Sequence, residues 1–136
     1  MCDIVKFKHL GIAVADLDAV LEFYKDLFGY KVLSGPFDDP IHKVSVCFVG
    51  TGDRDEFTIE LVAPLGCDSP VHHMVANQIS AYHVCYEVKD VDEALKAVQS
   101  KGCMILSRPL PAIAFDGRRI AWFYTPNRQL VELLEQ

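Results

Sequence analysis

The chain repeats itself. Residues 9–18, His-Leu-Gly-Ile-Ala-Val-Ala-Asp-Leu-Asp, are answered about 74 positions later by residues 83–92, His-Val-Cys-Tyr-Glu-Val-Lys-Asp-Val-Asp, an agreement that the periodicity of a single element could not produce. His9 pairs with His83, Val14 with Val88, Asp16 with Asp90 and Asp18 with Asp92. An amphipathic stretch follows each opening run, Leu17–Phe28 and Val91–Ser100, and its apolar spacing predicts a helix. Asp16 and Asp90 stand where a short acidic side chain caps the free N–H groups of a first turn. Gly29 and Gly102 stand where glycine closes a helix in the left-handed conformation.

Each half then ends on a second matched run, Thr-Ile-Glu-Leu-Val at 58–62 and Leu-Val-Glu-Leu-Leu at 130–134, which makes Glu60 and Glu132 equivalent. Between these anchors, residues 30–33, 44–49, 104–106 and 119–124 read as strands. Gly, Pro and Asp mark loops at 34–40, 50–55, 65–70 and 108–117, and residues 70–78 read as a short linking helix. The repeating unit is therefore βαβββ. A chain of 136 residues suits one domain, with modules at 4–64 and 80–136 joined by a helix within 69–78.

Composition narrows the function. With 51% apolar and 24% charged residues the chain is globular in character, and its net charge of -6 argues against a phosphate-tracking nucleic-acid surface. No apolar run approaches the ~20 residues that span a bilayer, and the N-terminus, Met-Cys-Asp-Ile-Val-Lys-Phe-Lys, lacks the order of a signal peptide. The expected location is the cytoplasm. Five scattered cysteines, Cys2, Cys47, Cys67, Cys85 and Cys103, never take the C-x-x-C spacing, so reduced thiols are expected, with Cys47 and Cys85 acting as small buried hydrophobes.

The chemistry lies in the repeated polar positions. His9, Glu60, His83 and Glu132 each interrupt an otherwise apolar strand, and alternation turns Glu60 away from Ile59 and Leu61, and Glu132 away from Val131 and Leu133. A carboxylate in mid-strand is costly to bury without a cation. Solvated positions have no reason to recur as the same two residue types at the same two places in both halves. Two imidazoles and two carboxylates suit one divalent ion, Ni, Co, Zn or Mn, with water completing its shell. His72 and His73 fall in the linking helix, and His42 precedes the third strand of the first half.

These residues also carry a resemblance. The run H-x-G-I-A-V-x-D-L-D-x-x-x-x-F-Y-x-D-x-x-G from His9 to Gly29, then I-E-L near the middle, His83 at the start of the repeat and V-E-L at the end resemble the vicinal oxygen chelate superfamily over nearly the whole chain. That resemblance implies an α+β fold in which two paired βαβββ modules form an open, cup-shaped mixed sheet holding a metal on its concave face. It implies His9, Glu60, His83 and Glu132 as ligands, and a homodimer is usual. The stretch E-L-x-x-P-L-x-x-D-S-P, Glu60 to Pro70, is similar to that of methylmalonyl-CoA epimerases within the superfamily.

The chemistry implied is removal of a proton next to a carbonyl, with Glu132 as base, Glu60 as its partner on the other face, and the metal steadying the enolate charge. His42, Phe115, Arg118 and Arg119 are the candidate substrate contacts. Three readings follow for the small-molecule substrate. One is an epimerase of a 2-substituted acyl-CoA thioester, another a glyoxalase I-type isomerase of a thiol adduct, and the third a non-catalytic binding or resistance protein. Glyoxalase I grips glutathione with an Arg and an Asn where this chain has Ala13 and Pro64. The epimerase's second acid/base Glu aligns with Ile41, which turns attention to Asp39 and His42.

Overall fold

The computed structural model describes residues 3–53 and 58–136; Cys2 and positions 54–55 of the loop expected after the third strand lie outside the described residues. The chain forms two compact units, Leu10–Tyr82 and Met1–His9 with His83–Gln136. The strand β1, Ile4–Ala13, contributes its residues through His9 to one unit and from Leu10 to the other.

In the unit Leu10–Tyr82, β1 is followed by the helix α1, Leu17–Phe28, then β2, Lys31–Asp39, β3, Val44–Gly50, β4, Thr58–Pro64, and the short helix α2, Val71–Ala76. The strand order is β2-β3-β4-β1, and β3 runs antiparallel to both β2 and β4. The side chain of Asp16 accepts a hydrogen bond from the Ala19 N–H, and Gly29 closes α1 at φ 67°, both as expected. Leu17, Val20, Leu21 and Tyr24 of α1 cover one face of the strands, made of Ile12, Cys47, Val49, Leu61 and Ala63.

In the other unit, β5, Ala81–Val88, leads into the helix α3, Val91–Ser100, then β6, Met104–Ile105, β7, Leu110–Pro111, β8, Arg119–Tyr124, and β9, Leu130–Glu135. The order is β1-β5-β9-β8-β6, with β7 on β8. The pairing of β5 with β9 is parallel and that of β8 with β9 antiparallel, so the sheet is mixed and open in an α+β fold, as expected. Asp90 caps α3 by accepting from the Glu93 N–H, and Arg119 bridges Glu135 of β9 and Asp92 of α3. Val91 and Ala94 of α3 pack on Val88, Ala121, Phe123, Val131 and Leu133.

Two expectations need correction. The segment 34–40, read as a loop because of Gly35 and Pro36, continues β2 to Asp39. Register shifts between Val32 and Ser34 and between Ser34 and Phe37 absorb the irregularity, and β2 ends the strand order, where a proline lacking its N–H is tolerated. Gly35 is at φ 96°, and a Cβ there would come within 3.0 Å of the Val46 carbonyl, so this bulge demands glycine. The segment 108–117 is not wholly loop, because it contains β7 and a 3-10 turn, Ile113–Phe115. Gly102, at φ 87°, closes α3 in the left-handed conformation as expected, its N–H donating to the Gln99 carbonyl at 3.0 Å and that of Cys103 to the Val98 carbonyl at 3.2 Å.

Among the described residues no helix is long and apolar enough to cross a membrane. Replacing a capping carboxylate orphans a first-turn N–H, so Asp90→Ala should lower unfolding free energy by about 1 kcal/mol in urea denaturation, with an unchanged dependence on denaturant concentration.

Candidate metal centre

The faces of β5 and β9 determine what meets in the unit that contains them. On β5, Val84, Tyr86 and Val88 join the cluster covered by α3, which turns His83, Cys85 and Glu87 to the other face. On β9, Val131 and Leu133 face α3, so Glu132 shares the face of His83. Parallel register sets Glu132 beside Cys85, and the antiparallel neighbour sets Trp122 opposite Glu132. The strand β1 delivers His9 to the same place. The Nε2 atoms of His9 and His83 lie 3.1 Å apart, and Glu132 Oε1 is 3.0 Å from His9 Nε2 and 3.7 Å from His83 Nε2.

These three side chains are almost sealed from solvent, with His9 0%, His83 1% and Glu132 2% exposed. Burial pushes the Glu132 carboxyl upward, but its contact with His9, the charges that His9 and His83 can carry and the Cys85 thiol outweigh it. Its pKa lies below the ordinary carboxylate value, and the group stays ionised. The rings of His9 and His83 meet edge to face at 5.3 Å, Trp122 stands edge-on to His83 at 4.8 Å, and Phe115 lies nearly parallel to His9 at 6.0 Å.

Three electron-pair donors therefore converge at one place. Two Nε2 atoms facing each other can share one proton, and Glu132 Oε1, although within ion-pair distance of His9, makes no hydrogen bond. A buried anionic oxygen left in that condition is expensive, and a cation removes the cost. The donor chemistry, two imidazole nitrogens and a carboxylate oxygen, fits a divalent ion of borderline softness.

Glu60 belongs to the unit Leu10–Tyr82. It sits in the middle of β4, only 5% exposed, opposite Phe48 of β3 and turned away from the α1-covered Ile59, Leu61 and Ala63. His42 lies in the turn after β2, half-buried, and its N–H and that of Ile41 both donate to Asp39 Oδ1 at 3.0 Å. Asp39 is buried and holds this turn. Ile41, which the resemblance was expected to align with an acid/base residue of the epimerases, is 52% exposed.

The two arginines differ. Arg118 lies 5.8 Å above the Phe115 ring, with Nη1 3.5 Å from Glu87 Oε2 and from the Glu135 carbonyl. Arg119 is bound closely, its Nε and Nη2 donating to Glu135 at 3.0 and 2.8 Å and its Nη2 also to Asp92 at 3.0 Å. Expected as a substrate contact, it has these donors engaged within the fold. Two residues of this face escaped the sequence analysis. Cys85, read as an inert hydrophobe, is fully buried with its thiol on the Glu132 carboxylate. Glu87 is 6% exposed and pairs with Arg118. Its signal was a mid-strand carboxylate like Glu60, but the repeat places Ala13 opposite it and so does not mark it.

Residues 8–122 match the family described as the glyoxalase/bleomycin resistance protein/dioxygenase superfamily. The chain belongs to that superfamily. An ethylmalonyl-CoA/methylmalonyl-CoA epimerase of Cereibacter sphaeroides is 32% identical over 132 residues, 94% of this chain and 96% of its own length. A lactoylglutathione lyase of Arabidopsis thaliana is 30% identical over 132 residues, 96% of this chain but 44% of that longer protein. A Streptomyces coelicolor methylmalonyl-CoA epimerase variant, solved in complex with 2-nitronate-propionyl-CoA, superposes with a TM-score of 0.84 at 25% identity over 98% of this chain and 99% of that one. Relatives of these kinds support an enzyme of the isomerase or lyase class.

Removing one donor should be decisive for binding. In equilibrium dialysis against Co, Ni, Zn or Mn the wild-type chain is expected to retain one ion per chain, and His9→Ala or Glu132→Ala to retain none. A variant that still held one ion tightly would refute the assignment.

Proposed function

We propose that this chain is a metal-dependent epimerase that removes and returns the proton α to the carbonyl of a 2-substituted acyl-CoA thioester, as a methylmalonyl-CoA epimerase does. The observation that carries this reading is the buried convergence of His9, His83 and Glu132 in a chain 32% identical to an epimerase of ethylmalonyl- and methylmalonyl-CoA. Glu60 is the proposed fourth ligand. It is the repeat equivalent of Glu132, buried like the other three, and would bring the set to two imidazoles and two carboxylates. When bound, a divalent ion supplies the Lewis acidity that polarises the carbonyl oxygen and offsets the negative charge it gains.

The rest of the chemistry falls to the chain's own groups. Glu132 is the proposed base, because its carboxylate is held ionised although buried. A base that abstracts from one face inverts the carbon only if a second group delivers the proton from the other. Glu60 takes that role in this reading, since Asp39 Oδ1 is committed to the N–H groups of its own turn. His42, half-buried beside that turn, and Phe115 and Arg118, next to His9, are the proposed substrate contacts. The buried face of β5, β8 and β9 excludes water from the base, which strengthens each electrostatic contact there.

A second reading, isomerisation of the methylglyoxal–glutathione adduct, is favoured by the likeness to a lactoylglutathione lyase. Ala13, small and buried in β1, and Pro64, the last residue of β4, offer no polar group to glutathione. The two readings separate in heavy water. The metal-loaded protein with methylmalonyl-CoA should place deuterium at C2, followed by mass spectrometry. No label in the acyl-CoA, together with turnover of the glutathione adduct, would refute the epimerase reading and establish the second.

A further inference from the structure

We propose that Phe115 is a positioning residue for the His9 imidazole, and that Arg118 steadies Phe115 in that task. The inference rests on the metal-site reading above and goes beyond it. A ligating imidazole must present its Nε2 lone pair in one direction, and residues around it that restrict rotation of the ring hold that direction. The ring of His9 is confined by two neighbours in its own unit. His83 meets it edge-on, at an interplanar angle of 81°, and Phe115 lies along it, centroids 6.0 Å apart and planes within 11° of parallel. A parallel aromatic plane resists rotation of its neighbour about χ2, because turning either ring brings an edge into the other's face.

Phe115 is itself held. It ends the 3-10 turn Ile113–Phe115, is 7% exposed, and its N–H donates to the Ala112 carbonyl at 3.1 Å. Asp116 at φ 55° and Gly117 at φ 81° reverse the chain immediately afterwards, and the Gly117 N–H returns to the same Ala112 carbonyl at 3.0 Å. Arg118 then closes the turn. Its backbone N–H and its Nε both donate to the Phe115 carbonyl, at 3.1 and 3.4 Å, while the guanidinium sits 5.8 Å over the ring. Glu87, buried on β5, anchors that guanidinium at 3.5 Å. A continuous chain of contacts thus runs from a carboxylate on β5 through Arg118 and Phe115 to His9. The apolar, arginine-bearing segment before β8 thereby acquires a role toward the candidate metal centre itself.

The test reads metal affinity and ring environment rather than turnover. Competition with a chromophoric chelator gives the Co dissociation constant of each variant, and proton NMR of the metal-free protein gives the shifts of the His9 ring protons. Phe115→Ala should raise the dissociation constant about tenfold or more, in the range expected when a support of a ligating histidine is lost. Phe115→Leu, which keeps most of the volume but no plane, should also raise it and should remove the ring-current shift on His9. Arg118→Gln should weaken binding less, and combined with Phe115→Ala it should add nothing, because it acts through that ring. Dissociation constants for both Phe115 variants within twofold of wild type would overturn the inference, as would a Phe115→Leu protein indistinguishable from wild type. Failure of the wild-type chain to bind an ion would instead overturn the metal-site reading.

Discussion

A carboxylate buried against two imidazoles constrains much of the surrounding structure. At 2% exposure the Glu132 carboxyl is held below its ordinary pKa by His9 and His83 beside it, with the Cys85 thiol, and those imidazoles come from strands remote in sequence. The parallel pairing of β5 with β9 brings His83 and Glu132 onto the same face. The opposite face of the same strands carries the apolar cluster covered by α3, with Glu135 at its end accepting from the Val91 N–H, so the helix secures the strands whose other sides carry the donors. Stability and chemistry are thus separated by the thickness of a β-strand.

Much of this was legible in the sequence because it was written twice. The caps Asp16 and Asp90 and the apolar spacing between them and the following turns locate α1 and α3 at Leu17–Phe28 and Val91–Ser100, since capping and amphipathicity are local properties. The repeated His and Glu stood out for a different reason. A polar residue interrupting an apolar strand is ambiguous alone, but its recurrence at the equivalent place is not. Glu87 illustrates the limit, because its counterpart is Ala13 and duplication is silent about it.

What the sequence did not disclose depends on contacts rather than on local preference. Gly35 and Pro36 signal a break, yet neighbouring β3 accommodates them within a bulged strand. Arg118 and Arg119 are adjacent and chemically alike, but alternation at the start of β8 sends them to different partners, Glu87 for one and Glu135 with Asp92 for the other. Phe115 could have been a core residue, a pocket wall or a surface side chain. Only the 3-10 turn, which no periodicity announces, lays its ring along His9.

The alternation along β5 has a consequence for how such a chain can change over time. Val84, Tyr86 and Val88 serve the core while His83, Cys85 and Glu87 serve the opposite face, residue by residue. Deleting or inserting a single codon within this strand would exchange the two sets downstream of the change, placing a carboxylate under α3 and a valine or tyrosine where the thiol and Glu87 now stand. Substitutions can be tried one at a time here, whereas a shift in length damages packing and chemistry together. Variation in length is therefore confined to the connections, and the segment between β7 and β8 is where such a chain can lengthen, shorten or re-model the surroundings of His9 without disturbing the strands that carry its donors.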